Sequence, residues 1–177
     1  EVAVLAVPNS KSNIIANANE VVDLTKKIGG DGKLRWDVPA GDWTILRFVC
    51  LNHGQQLIVP SPNSGGPMID FFDPRATEFH LRHIVTTILR ELGRKSFAGT
   101  SFKTMEFDSM ELDGFTPWTE TMAKEFDGHV GYSVIRFLPL LAGWKLADHK
   151  TQEQFLYDWR KFVSDRLIES HYATGRK

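Results

Sequence analysis

The chain has 177 residues, 42% of them hydrophobic and 24% charged, with a formal net charge of −1. Such a balance supplies neither the basic stripe that follows a nucleic-acid backbone nor a basic tail for an anionic membrane surface. No run of about 18 apolar residues reads as a membrane span. The length suffices for one domain with a core or for parts of two. Five Trp and twelve Phe suit a large core or a carbohydrate surface. Cys50 is the single cysteine, which excludes an internal disulfide. Its place after Phe48 and Val49, at the end of a strand-like run, predicts a buried and inert thiol.

Taken in order, residues 1–7 (EVAVLAV) are β-branched and apolar, and Pro8 ends the run, so a strand is expected. Residues 9–19, rich in Asn and Ser, read as a loop. Residues 21–24 fit a short strand, and the glycines around Asp31 form a turn. Leu34, Trp36 and Val38 then alternate with polar residues, which predicts a half-buried strand. Residues 39–42 (PAGD) read as a tight turn before a further strand over 43–51 (WTILRFVCL). Strands at this short spacing predict part of an antiparallel β-domain over residues 1–52.

Residues 53–72 change character. Pro60, Pro62 and Pro67, with Ser61, Asn63, Ser64, Gly65 and Gly66, predict a long irregular connecting loop of a kind that is usually functional or mobile. Asp73 is placed to cap a helix with Pro74 at its first position. Leu81, Ile84, Val85, Ile88, Leu89 and Leu92 then fall on one helical face, up to a stop at Gly93. His80 and His83 are three apart, a spacing that a shared metal ion would allow. With no third ligand nearby they read as one solvated and one packed histidine. Residues 97–107 are expected to form a strand and residues 119–128 a short helix. Residues 132–141 (YSVIRFLPLL), interrupted by Pro139, fit a short buried helix or turn. Residues 148–172 predict a long amphipathic helix, with Phe155, Trp159, Phe162 and Val163 on its apolar side and Leu156 and Leu167 widening it. The expected class is therefore α/β, with residues 73–177 forming the first βα units of an incomplete (β/α)8 barrel behind the β-domain. Glu1 already lies in a strand-like run with no signal peptide visible, and residues 173–177 follow a long helix without a clear stop. Both ends thus read as cuts through a larger polypeptide, whose remainder is an expected partner.

The chemistry concentrates in residues 103–118, KTMEFDSMELDGFTPW. An apolar run stops in Asp108, Glu111 and Asp113, followed by Gly114, Pro117 and Trp118. Barrel enzymes present catalytic groups in this way at the C-terminal rim of their strands. Cleaving a glycosidic bond needs one protonated carboxyl for the leaving oxygen and a second group to activate water or to attack. The two stand about 6.5–9.5 Å apart in inverting enzymes and about 5–5.5 Å in retaining ones. Glu106 shares a strand face with Asp108, so the pair would either raise one pKa or bind a cation. A plainer assignment leaves these acids solvated ahead of the helix that starts near Thr119.

Five segments in fixed order carry a resemblance: VVDLTKKIGGDGKLRWDVPAGDWTILRF (21–48), IDFFDPRATEFH (69–80), FKTMEFDSME (102–111), PWTETMAKEF (117–126) and GYSVIRFLPLLAG (131–143). Together they resemble glycoside hydrolase family 106, the α-L-rhamnosidases, over residues 21–172. The resemblance implies inverting, calcium-assisted hydrolysis of α-L-rhamnosides in plant or bacterial polysaccharides, on a (β/α)8 barrel decorated with β-domains. The family's strand-end segment reads D-S-W-E; here Met110 replaces the Trp while Asp108 and Glu111 stay in place. What carries over is Glu111 as a site carboxylate, either the acid or a cation ligand, with Asp108 as its neighbour. Trp118 matches an aromatic that stacks on a sugar face or packs under the following helix. Asp70, Asp73, Asp108, Glu111 and Asp113 offer oxygens for calcium, although nothing matches an EF-hand loop. The substrate class places the protein in the periplasm or outside the cell. A barrel of roughly 200 or more residues does not close within this length, so the piece alone is expected to be inactive. Two other readings stay open. One is an inactive carbohydrate-binding or scaffold relative, which Met110 favours. The other is a glycosidase of different sugar specificity, since strand ends do not name the sugar.

Overall fold

The computed structural model describes residues 1–10, 12–52, 54, 56, 62–63, 65–106 and 116–176. Its strands are β1 (Ala3–Pro8), β2 (Ile14–Ile15), β3 (Val22–Asp23), β4 (Trp43–Phe48) and β5 (Lys145–Leu146). Its main helices are α1 (Pro74–Glu91), α2 (Met122–Val130), α3 (Leu138–Leu141) and α4 (His149–Leu167). Two compact units divide the chain. The first joins Glu1–Leu51 with Glu120–Phe162, and the second joins Asn52–Thr119 with Val163–Lys177.

In the first unit β1 is the central strand of a three-stranded antiparallel sheet, order β3-β1-β4. Its sequence explains the place. AVLAV is apolar at every position, so both faces need covering, and Ala3 to Val7 are all buried. β1 pairs with β4 from Ala3↔Phe48 to Pro8↔Trp43. Pro8 has no N–H to give and sits at the last position of the strand, where the ladder tolerates it. The pairing with β3 is short, Leu5↔Asp23 and Ala6↔Val22, and the neighbouring residues extend it. Leu24 N–H donates to Val4 O at 2.8 Å, and Val4 N–H donates to Thr25 Oγ1 at 3.0 Å. Val4, Ala6 and Leu24 form a core cluster, bordered by Val22, Ile28, Leu34, Trp36 and Trp43. The two tryptophans meet edge to face at 5.4 Å.

Three expectations fail in this region, each for a local reason. Leu34, Trp36 and Val38 form no strand. Gly29 N–H donates to Lys33 O at 2.9 Å in a closed turn, Leu34 makes a single bridge with Ile28, and Val38, 60% exposed, precedes a proline that cannot donate to a ladder. Residues 9–19 are not all loop, because β2 pairs in parallel with β5 through Ile14↔Lys145 and Ile15↔Leu146. Cys50 is exposed rather than buried, since β4 ends at Phe48, two residues earlier.

The helices of the first unit are held by an aromatic cluster. On α4, Phe155, Trp159 and Phe162 repeat at four- and three-residue spacing and are buried. Phe126 of α2 meets their rings and that of Tyr132 at centroid distances of 5.3 to 6.1 Å. Phe137 stacks on Phe155 at 4.8 Å. Gly131 ends α2 with φ 89, the left-handed conformation a helix stop requires, and its N–H donates to Asp127 O. Pro139 opens α3 within its first turn, where a missing N–H costs nothing, and Leu138, Pro139 and Leu140 are buried.

In the second unit α1 begins and ends where the residues dictate. Asp73 caps it by accepting from Arg75 N–H at 2.9 Å, Pro74 sits in the first turn, and Gly93 follows with φ 63. Its stripe of Leu81, Ile84, Val85, Ile88 and Leu89 is half-buried. Beyond α4 the helix widens by one residue per turn over Ile168–Tyr172, burying Ser170 and His171.

Candidate functional site

Asp108, Glu111 and Asp113 lie outside the described residues. Their approach does not have the expected form: residues 97–106 make a turn and irregular chain, with no strand. Thr100 N–H and Oγ1 both donate to Phe97 O, at 3.1 and 2.7 Å. Gly99 supplies the positive φ of 71 that this reversal needs. Phe97 and Phe102 therefore stack on one another at 4.2 Å instead of alternating along a pleat. Glu106 is exposed and Met105 half-buried. On the far side of the acidic stretch Trp118 is half-buried, next to a buried Thr119.

The other two acids with a possible role toward a cation are already engaged. Asp70 Oδ1 accepts from Phe72 N–H at 2.9 Å. Both oxygens of Asp73 take the Arg75 guanidinium at 2.8 to 3.0 Å. That hydrogen-bonded guanidinium holds the Asp73 carboxyl below the usual carboxylate range, against the opposing effect of burial. Asp73 is a helix cap whose two oxygens both face the Arg75 guanidinium. Among the described residues no three His, Cys, Asp or Glu side chains gather as metal ligands. His80 and His83 are both exposed on α1, where one had been expected to pack. Residue 83 falls on the side of the helix away from the stripe that holds Leu81 and Ile88.

A polar cavity lies among the described residues, wholly within the first unit. It measures about 420 Å³ and is lined by His129, Val130, Tyr132, Gln154, Asp158 and Lys161. Asp158 is its centre. Tyr132 Oη donates to Asp158 Oδ2 at 3.0 Å, and Gln154 Nε2 reaches both carboxylate oxygens at 3.0 Å. Burial, followed by the hydrogen bond to Asp158, raises the Tyr132 phenol above its ordinary pKa, so it remains a donor. The sequence alone offered no signal for this cavity, because its residues are ordinary positions of α2, a turn and α4 that share no motif.

His171 is a further residue that sequence periodicity hid, since it lay in what read as unbroken helix. It is buried in the second unit, with Nδ1 3.0 Å from Thr77 Oγ1 and its ring edge-on to Phe71 at 5.3 Å. Burial and then His80 lower its pKa below 6.5, the ordinary value. The unfolded chain therefore binds a proton that folded His171 refuses. Stability is complete above about pH 6.5 and falls as the pH drops toward the folded value, below which the loss levels off. Urea midpoints between pH 8 and 5 should decline in this window for the natural protein. In His171→Gln this part of the slope should disappear; an unchanged slope would place the titration elsewhere.

The profile of glycoside hydrolase family 106, described as alpha-L-rhamnosidase, matches the chain over residues 1–177. The chain belongs to this family. A relative from Formosa agariphila, whose name marks it as a candidate beta-glucuronidase, is 31% identical over 174 residues, covering 96% of this chain and 15% of the relative. The structure of a rhamnosidase from Novosphingobium sp. PP1Y is similar with a TM-score of 0.72 at 28% identity, covering 89% of this chain and 15% of that one. The family 106 chain thus spans about 15% of the length of the relatives it matches. It is a mixed α/β piece of glycoside hydrolase sequence, and no helix among its described residues is long and apolar enough to cross a membrane.

Proposed function

We propose that the protein carrying this chain is an inverting α-L-rhamnosidase that cleaves terminal α-L-rhamnosyl linkages in a polysaccharide or glycoside. The chain would supply part of an antiparallel β-domain and the first βα units of a (β/α)8 barrel. The observation that carries this reading is the family match along the whole chain, including the D-S-M-E segment at residues 108–111. Glu111 is assigned as a site carboxylate, either the acid that protonates the glycosidic oxygen or a cation ligand, with Asp108 beside it. Trp118, half-buried, is assigned as the aromatic against which a sugar face stacks. Calcium comes with the resemblance. Since Asp73 is committed to Arg75, the donors proposed for the ion are Asp70, Asp108, Glu111 and Asp113. The second catalytic carboxylate would come from another part of the protein, so these 177 residues alone would not turn over substrate. A polysaccharide substrate places the enzyme in the periplasm or outside the cell.

The test compares aryl α-L-rhamnoside with aryl β-D-glucuronide as substrates of the full-length protein. Release from the rhamnoside, with β-L-rhamnose as the first anomer seen by NMR, is expected, and a chelator should lower it until calcium is restored. The Formosa agariphila relative's name favours a second reading, glucuronide specificity. Turnover of the glucuronide alone would establish that reading, and inertness toward both would overturn the enzyme reading.

A further inference from the structure

The cavity around Asp158 is open to solvent at His129, Gln154 and Lys161 and half-buried at Tyr132 and Asp158, and none of its residues is assigned to the chemistry above. Gln154, Asp158 and Lys161 lie four and three residues apart, so α4 presents them along one face. His129 and Val130 come from the end of α2, and Tyr132 from the turn after it. The helix positions among them hold polar groups more closely than loops do. The Tyr132 ring is wedged edge-on between Phe126 at 5.5 Å and Phe137 at 5.3 Å. Its hydroxyl and the Gln154 amide in turn fix the Asp158 carboxylate. A carboxylate offers roughly four acceptor positions, so Asp158 is oriented and still able to accept from a ligand. The volume falls in the range of roughly 300–1,000 Å³ typical of small-molecule sites.

Charge narrows the ligand class. Asp158 and Lys161 carry opposite charges, so the carboxylate and the ammonium of the lining balance. Neither an anion nor a cation gains from entering. A ring of neighbouring hydroxyls does, because each can donate to Asp158 or accept from Lys161 while Val130 meets a C–H face. We infer that this cavity is a subsite for a neutral pyranose unit of the glycan, separate in its residues from the acidic stretch. That the ligand is a glycan rests on the glycosidase reading.

Affinity electrophoresis of the full-length protein tests this in native gels containing a soluble neutral rhamnan or, as control, polygalacturonate. Retardation by the rhamnan but not by the uronate polymer is expected. Gln154→Ala and Lys161→Met should each weaken it at least fivefold, whereas Lys161→Arg, which keeps the charge, should retain it. Melting curves on the same variants separate lost binding from lost folding. Unchanged retardation in both Gln154→Ala and Lys161→Met overturns the subsite, as does stronger retardation by polygalacturonate. Aryl rhamnoside hydrolysis by the natural protein is scored independently, so failure of the enzyme reading would show there and not in the variants.

Discussion

Glu111→Gln in the full-length protein should reduce turnover of an α-L-rhamnoside by about 100-fold or more, the scale of a lost general acid. Gln keeps the size of the side chain and removes both its proton and its charge, so the loss reports chemistry more than packing. The two roles assigned to Glu111 then separate by leaving group. An acid matters little when the departing group is a stable phenolate and a great deal when it is a sugar alkoxide. As the acid, Glu111→Gln would damage cleavage of a rhamnosyl disaccharide far more than that of a nitrophenyl rhamnoside, and the basic limb of the pH profile would vanish. As a cation ligand, it would damage both substrates alike, and excess calcium would restore part of the rate. Asp108→Asn should follow the same pattern more weakly. Near-normal turnover by Glu111→Gln on both substrates would remove the residue from the site.

Signals confined to one turn or one strand were legible in the sequence. Asp73, Pro74 and Gly93 mark the ends of α1, and each works through its immediate neighbours. The all-apolar β1 and the aromatic spacing of α4 were equally plain, because burial on two faces leaves an unbroken apolar run and burial of one stripe leaves a period. What the sequence hid depends on distant partners. Ile14 and Ile15 become a strand only because Lys145 and Leu146 lie alongside, and Trp36 leaves its expected strand for a cluster built around Val4 and Ala6. The same holds for Phe97 and Phe102. Both lay in an expected strand over residues 97–107, but Gly99 and Thr100 reverse the chain and the rings stack on one another. At the candidate site, Trp118, Asp70 and the capping acid Asp73 lie among the described residues, whereas Asp108 and Glu111 do not. The acidic stretch was identified by its segment pattern, and the Asp158 cavity by geometry alone.

Phe126→Ala should be the most damaging core substitution in the first unit. The side chain is fully buried and its ring meets four others, those of Tyr132, Phe155, Trp159 and Phe162. Removing it leaves a cavity between α2 and α4, and Phe→Ala changes of this kind cost about 3–5 kcal/mol. A domain's whole stability is about 5–15 kcal/mol, so the loss is a large share. Global melting of a multidomain enzyme would blur the effect. Amide hydrogen exchange over residues 120–162 resolves it, with protection in α2 and α4 expected to fall by two or more orders of magnitude. Phe79→Ala is the matched control. Phe79 is 77% exposed on α1, and truncating it should shift stability by no more than about 0.5 kcal/mol. Tyr132 adds a functional consequence, since its ring rests on Phe126 and its hydroxyl orients Asp158. Phe126→Leu, which keeps most of the volume, should preserve exchange protection while loosening that ring. If protection in α2 and α4 survived Phe126→Ala, the aromatic cluster would not be what holds those helices together.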